Sequence, residues 1–573
     1  MQAIRKFLRS PLARHPSLFV RKVAQRLHWY RTDHPVPAAP VAVVEYPGHW
    51  AVALRQWMQQ VPLHPEPHPF NRVFGHDFDE ALLFRLCREG PIRGERGLTG
   101  DIKLIWDYSR GHPLFTNACL GPEHVEANAA FIRRWREANT DTNGFAWVCA
   151  MDVAIRAANW IFADVMAAGG IGNRIGKREW AGGLWKHGFL IWRRLESLIT
   201  SSNHYLADLL GLVLIGSIFP KDPQSQAWLR FARSEFPRAL LAQTREDGGL
   251  NEASLRYHAF VTEMALLVRL AVGVPFPQAA EQRLRSMCQI VGDFRDATGD
   301  LFPFGDDDSG RVLAVDSASA MGRAEVLLCL ASSLLKKEFN PAADVICPDS
   351  GWCVRRAGEF TMAFEFGGVG LNGQGSHAHN DDLSFCLEWR GRPVVVDPGT
   401  YLYTSDPEAR NQFRSVHAHN TLCIDGLEPR ELSREMFYLP GPDSAFPVTQ
   451  GDEDSRSFTR MLAGGRTHRR EVSVRGWGMI LRDTVGGTGE HVLTSRFLFH
   501  PTVEPRLMPG GVELRVPGAG KLHLVTETSD ANFELQAGEY SRAYGHREAS
   551  LALVVERKVQ LPSSTAWALR VDH

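Results

Sequence analysis

The chain has 573 residues, too many for one hydrophobic core, so two or three domains are expected. Hydrophobic content of 44% and charged content of 23% are ordinary globular values, and the net charge of −1 provides no overall basic field for nucleic acid. The supply of 15 Trp, 31 Phe and 10 Tyr is enough for a core and also for a cleft that stacks sugar rings.

Residues 1–32 carry Arg5, Lys6, Arg9, Arg14, Arg21, Lys22, Arg26 and Arg31 with no acidic residue. The stretch reads as a solvated basic arm or helix face, or as a contact for an acidic polymer or membrane surface. Arg and His interrupt every apolar run in it, so no secretory signal is expected. The best apolar run, Leu209 to Phe219, is too short to span a bilayer. The nine cysteines are scattered without a CxxC pair, which argues against a disulfide framework and against a cysteine zinc site. A reduced, cytoplasmic chain is the default expectation.

From residue 75 to about 340 the pattern is helical. "EANAAFIRRWREAN", "WVCAMDVAIRAANWIFADVMAAG", "HYLADLLGLVLIGSIF" and "ASLRYHAFVTEMALLVRLAV" space their apolar residues by three and four. Several are apolar nearly all round, as inner helices of a layered array would be. The texture changes at Asn340-Pro341. From Gly351 onward, short alternating runs such as "FTMAFEF", "LSFCLEW", "RPVVVDP" and "ASLALVVER" alternate with Gly, Pro and Asp turns, the pattern of an antiparallel sandwich. The expected organisation is an arm with lead-in helices over 1–74, a helical domain over 75–345 and a β-sandwich over 346–573.

Four stretches carry chemistry. In "SSNHYLADLLG", Asn203 and His204 stand at a helix N-terminus, where two readings stay open: Ser202 or Asn203 simply caps the helix, or the pair faces an anion. In "REDGGLNEASLRYHAF", Tyr257 and His258 are adjacent and cannot share one helix face. In "GQGSHAHNDDLSFCLEW", His377 and His379 precede a strand; Asp397 ends the next strand, and "RSVHAHNTLCIDG" brings His417 and His419 before another. Two His and one Asp from neighbouring strand ends make a candidate zinc or other divalent site, or else a set of hydrogen-bonded groups at a sheet rim. "FPFGDDDSGRV", with Asp306, Asp307 and Asp308, reads as a loop between helices near a cleft.

Taken together, "NH" before an apolar helix, "DGG" followed by "YH", "GSHAHNDDLSF", "VVVDPGTY" and "AHNTLCIDG" resemble the heparinase II/III and oligoalginate-lyase group of polysaccharide lyases. The resemblance implies an N-terminal (α/α) toroid, as an incomplete barrel, followed by a C-terminal antiparallel β-sandwich. It implies Tyr257 as the catalytic tyrosine and Asn203 and His204 as the pair facing the substrate carboxylate, with His204 also able to serve as base. It further implies His377 as the catalytic histidine from the sandwich, and His379, Asp397 and His419 as ligands of a structural zinc. Arg414, His258 and Tyr401 are the candidate sugar-binding residues; Tyr403 is left unassigned.

A uronate lyase must stabilise the enolate formed when the C5 proton leaves, so donors aimed at the carboxylate are required. A tyrosine of ordinary pKa near 10 would need nearby cations to serve as base. The expected partner is an acidic polysaccharide or oligosaccharide, with no nucleic acid and no integral membrane segment; the oligomeric state, a homodimer included, stays open. Two rivals remain at this point. One is a glycoside hydrolase on the same scaffold, with acids drawn from Asp152, Glu252 or Asp306–Asp308. The other is a glycan-binding protein without catalysis.

Overall fold

Helices occupy the first part of the described chain and strands the second, with the change between Leu335 and Asp344. The computed structural model describes residues 36–197, 202–450, 455–475, 477–526, 528 and 531–571. The basic stretch 1–32, and with it the expectation of an arm without a signal, lies outside the described residues.

The helical part is built around α1 (Gly48–Met58), α2 (Ile102–Arg110), α3 (Ala150–Met166), α4 (Asn203–Ile218) and α5 (Leu255–Val272). In α3, α4 and α5 nearly every side chain is buried, as their all-round apolar sequences predict for helices enclosed by others. The first turns of α2, α3, α4 and α5 carry Lys103, Asp152, Asn203 and Tyr257. One boundary moves. Helix α1 lies before residue 75 yet belongs to the helical core: Trp50, Leu54 and Trp57 are buried in it, and the Trp57 indole donates to the Val326 carbonyl. The lead-in helices expected over 1–74 thus include α1, whose burial in the core is a long-range contact that local pattern does not reveal.

The β part contains an eight-stranded, a five-stranded and a four-stranded antiparallel sheet. The five-stranded sheet joins the two halves of the molecule. Its strands β1 (Asp344–Cys347), β2 (Trp352–Ala357), β3 (Phe360–Glu365), β4 (Phe385–Trp389) and β5 (Arg392–Val395) pair in that order. Alternate residues point to opposite faces. Val354, Ala363 and Cys386 therefore enter the helical core, while Cys353, Phe364, Phe385 and Leu387 pack against Phe458, Leu481 and Trp567 in the sandwich core. A sheet buried on both faces fixes the loops at its ends relative to the helix ends opposite. The "HAHNDD" stretch lies in the connection between β3 and β4. Among the described residues, no helix is long and apolar enough to cross a membrane.

Candidate active site

Glu252 lies just upstream of α5 and is fully buried. Its two carboxylate oxygens accept hydrogen bonds from the backbone N–H and the Nδ2 of Asn203, both at 2.7 Å. An anion thus sits at the positive end of α4. Ser202 makes no side-chain cap, so neither capping reading of "SSNH" holds: the cap comes from a carboxylate 49 residues away. The same carboxylate lies 3.4 Å from Nε2 of His377. The Tyr257 ring stacks on the His377 ring, with centroids 3.9 Å apart and planes 23° apart. Tyr257, Asn203 and His377 therefore meet in one place, although 174 positions separate the first and last of them in the chain.

Asp306 binds this group together. Its carboxylate takes a bidentate pair from Arg410, at 2.7 and 2.8 Å, while its two oxygens accept separately from His377 Nδ1 at 3.0 Å and His379 Nε2 at 2.9 Å. All of this is buried. Burial works against the charge on Asp306, but Arg410 and the two imidazoles outweigh it and hold the carboxyl well below its usual range. The loop reaches this point through Gly305, whose φ is +70°; a Cβ there would lie 2.2 Å from the Ala253 carbonyl oxygen, so only glycine fits.

The Tyr257 hydroxyl lies 3.3 Å from the hydroxyl of Tyr403. Burial, together with Asp308 and Asp306, raises the Tyr257 pKa well above 10. This corrects the expectation of a phenol made acidic by neighbouring cations. Asp308 in turn is paired with the Lys103 ammonium at 2.8 Å. Beside Asn203, the His204 ring bonds Glu196 through Nδ1 at 2.8 Å, and its side chain is one-third exposed. Desolvation opposes the charge on His204, but Glu196 prevails and raises its pKa to about 9.

His379, Asp397 and His419 bring one ligand atom each within 4.8 Å of one another, all buried. His379 Nδ1 and His419 Nε2 have no hydrogen-bond partner, which is costly for a buried nitrogen unless a cation takes it. The donor set therefore fits a divalent ion such as zinc. His379 is also backed by Asp306 on its other nitrogen, the usual outer partner of a metal-binding imidazole.

Three expected sugar contacts are elsewhere. His258 is fully buried, bonded to the Met287 carbonyl and packed against Trp352, and burial lowers its pKa to about 4. It lies about 100° round the helix from Tyr257, as adjacency requires. Arg414 is also fully buried and donates to the carbonyls of Met436, at 2.7 Å, and Tyr438, at 3.4 Å. It braces a loop, and its guanidinium is engaged by those carbonyls. Tyr401 turns away at φ +68° to pack on Phe413, under the Arg547 guanidinium, and Tyr403 is the tyrosine that meets Tyr257. Sequence reasoning missed Tyr403 and Arg410 as site residues and weighed Glu252 and Asp306 only as hydrolase acids. The clue available was the number of carboxylates near "DGG" and "GDDD", which demanded buried partners.

Two family models match the chain, heparinase II/III N-terminus over residues 192–297 and heparinase II/III-like, C-terminal over 341–568, together more than half of it. The chain belongs to the heparinase II/III-like family. Solved structures share its fold. The crystal structure of heparinase III superposes with a TM-score of 0.67 at 14% identity, covering 98% of this chain and 92% of the other. A mutant of the heparan sulfate lyase HepC from Pedobacter heparinus gives 0.59 at 15% identity, covering 91% and 88%. Chondroitinase AC lyase gives 0.50 at 10% identity, covering 91% and 83%. Comparison with curated protein sequences returns no match. The family's helical toroid and antiparallel β-sandwich are the two halves described above.

Proposed function

We propose that the chain is a polysaccharide lyase that cleaves a uronate-containing acidic polysaccharide or oligosaccharide by β-elimination, leaving a 4,5-unsaturated uronate end. The observation that carries this reading is the Tyr257–His377 stack beside Asn203, held by Glu252 and Asp306.

The substrate carboxylate meets the second Nδ2 hydrogen of Asn203, the first being donated to Glu252, and the imidazolium of His204, which compensate the charge that builds on it as C5 loses its proton. One such donor is worth about 3 kcal/mol in the transition state. His377 donates its Nδ1 proton to Asp306, which orients the ring and leaves Nε2 as the base for the C5 hydrogen. Tyr257 remains a neutral phenol and gives its proton to O4 as the C4–O4 bond breaks. The phenolate then recovers a proton from the His377 imidazolium, and the enzyme returns to its starting state. Stacked rings lie on the same side of a bound sugar. The arrangement therefore suits a uronate whose C5 hydrogen and O4 leave from one face.

The raised His204 pKa sets a pH dependence. A folded value of about 9 lies above the ordinary value near 6.5. The protonated form is complete below pH 6.5, and both its stabilising pairing with Glu196 and its neutralising role are lost as pH rises through 9. The expected profile of kcat/KM falls through about pH 9, and Glu196→Gln moves that limb towards neutrality. A limb that stays in place in the variant refutes the role given to His204.

A hydrolase would need two facing carboxyl groups free for proton transfer. Instead Asp306 is held by Arg410, Asp152 is bonded to Arg110 at 2.7 Å, and Glu252 is spent on Asn203. A panel of heparan sulfate, hyaluronan, chondroitin sulfate and alginate, assayed for new ultraviolet absorbance, tests the lyase reading, because hydrolysis creates no double bond.

The reading includes zinc at His379, Asp397 and His419 as a structural ion. When bound, it supplies a rigid clamp between strand ends, and Asp306 passes that rigidity to His377. His379→Ala is expected to lose about one equivalent of metal by elemental analysis and to melt at lower temperature. Full metal content in that variant removes the assignment.

A further inference from the structure

We infer that Phe437 is a substrate-binding ring of this site, the apolar platform on which the sugar beside the scissile bond packs. The inference rests on the lyase reading for its geometry and adds a residue and a ligand surface to it. Residues 425–447 form a strap without helix or strand between Leu422–Ile424 and Val448–Gln450. Its backbone is tied down around residue 437. Arg410 Nε and Arg414 Nη1 both donate to the Met436 carbonyl, at 3.0 and 2.7 Å. Arg414 Nη2 donates to Tyr438, the Ser376 hydroxyl donates to the Phe437 carbonyl, and the Leu439 N–H donates to Gln374.

Tyr438 and Leu439, next along the strap, are buried, but the Phe437 ring is 37% exposed. It meets the His377 ring edge-on at 6.0 Å and the Tyr403 ring at 5.1 Å, with the Arg410 guanidinium 5.3 Å away. What distinguishes this exposed ring is that two fully buried arginines hold its backbone still. An exposed ring fixed against the proposed base is pre-organised for a ligand with an apolar face. The carbon-bound hydrogens of a pyranose provide such a face, while its carboxylate points towards Asn203 and His204. Holding the ring in place beforehand removes the ordering cost at binding.

The test compares wild type with Phe437→Ala and Phe437→Tyr on whichever polymer of the panel gives the largest new absorbance. Withdrawing a buried aromatic contact predicts a KM increase of about ten- to a hundredfold in Phe437→Ala, with kcat much less affected. Phe437→Tyr keeps the flat ring and is expected to stay within a few-fold of wild type. Phe437→Tyr should melt with wild type, whereas Phe437→Ala gives up the packing on Tyr403 and Arg410 and is expected to melt somewhat lower, so KM measured well below its melting temperature is the readout. An unchanged KM in Phe437→Ala, or a loss confined to kcat, overturns the inference while leaving the lyase reading intact. If no polymer is cleaved, the lyase reading fails, and calorimetric binding of the same four polymers decides the inference separately. Equal binding by wild type and Phe437→Ala, or no binding by either, then overturns it.

Discussion

Tyr257→Phe is expected to lower kcat by about 10²–10⁴-fold, the usual contribution of a positioned proton donor, with little change in KM. The substitution removes one oxygen. That oxygen's partner is the hydroxyl of Tyr403, which keeps its own surroundings, and the ring still stacks on His377. Folding should therefore be preserved, and the melting temperature should confirm it. Formation of the unsaturated uronate product, followed by ultraviolet absorbance, is the readout. Because burial and the carboxylates of Asp308 and Asp306 keep the phenol protonated, the wild-type rate should show no rising limb from Tyr257 ionisation below pH 10. A Tyr257→Phe enzyme with wild-type kcat places the proton donor elsewhere.

Asp306→Ala is expected to be the most damaging single change to stability. Removing the carboxylate leaves the Arg410 guanidinium, which is fully buried, with no counter-ion, and it takes an acceptor from both His377 and His379. Breaking a buried pair in this way costs about 3–5 kcal/mol. Denaturant unfolding should report that loss, and activity and metal content should fall together, since one side chain supports both the proposed base and a proposed zinc ligand. The pH dependence has a defined sign. The folded pKa of Asp306 is depressed, so its contribution is complete above the unfolded value near 4 and is lost as pH falls towards the folded value. Asp306→Asn should flatten the acid side of the stability curve relative to wild type. Unaltered stability in both variants means that Arg410 finds another acceptor.

Both substitutions act on contacts that the sequence did not announce. The helical texture over 75–340 and the alternating texture after Gly351 were readable because each reflects which face of a local element is buried, and that follows the periods 3.6 and 2. Tyr257, Asn203 and His377 became candidates through the resemblance to the heparinase II/III group, since position at a helix or strand end by itself left capping and packing equally open. Two His and one Asp at neighbouring strand ends were readable as a donor set, and the resemblance singled out His379, Asp397 and His419. Arg414 was misplaced because a basic residue beside a histidine cluster looks like an anion contact, whereas its burial depends on the strap at 436–438, far along the chain. Tyr401 and Tyr403 sit two apart and looked equivalent until the φ of +68° at Tyr401 broke the extended run and turned the two rings to different neighbours.

The amino-acid order by itself determined a helical part followed by a strand part, the point where one gives way to the other, and a short roster of groups able to do acid–base and metal chemistry, because these depend on composition and local periodicity. Tertiary structure alone decided which of those groups meet. Glu252 capping a helix begun 49 residues earlier, Asp306 joining two histidines to an arginine, and Phe437 held over His377 are all long-range contacts. Whether a buried charge is tolerated, and which proton a phenol keeps, depends on what surrounds it in space, and no pattern along the chain encodes that directly.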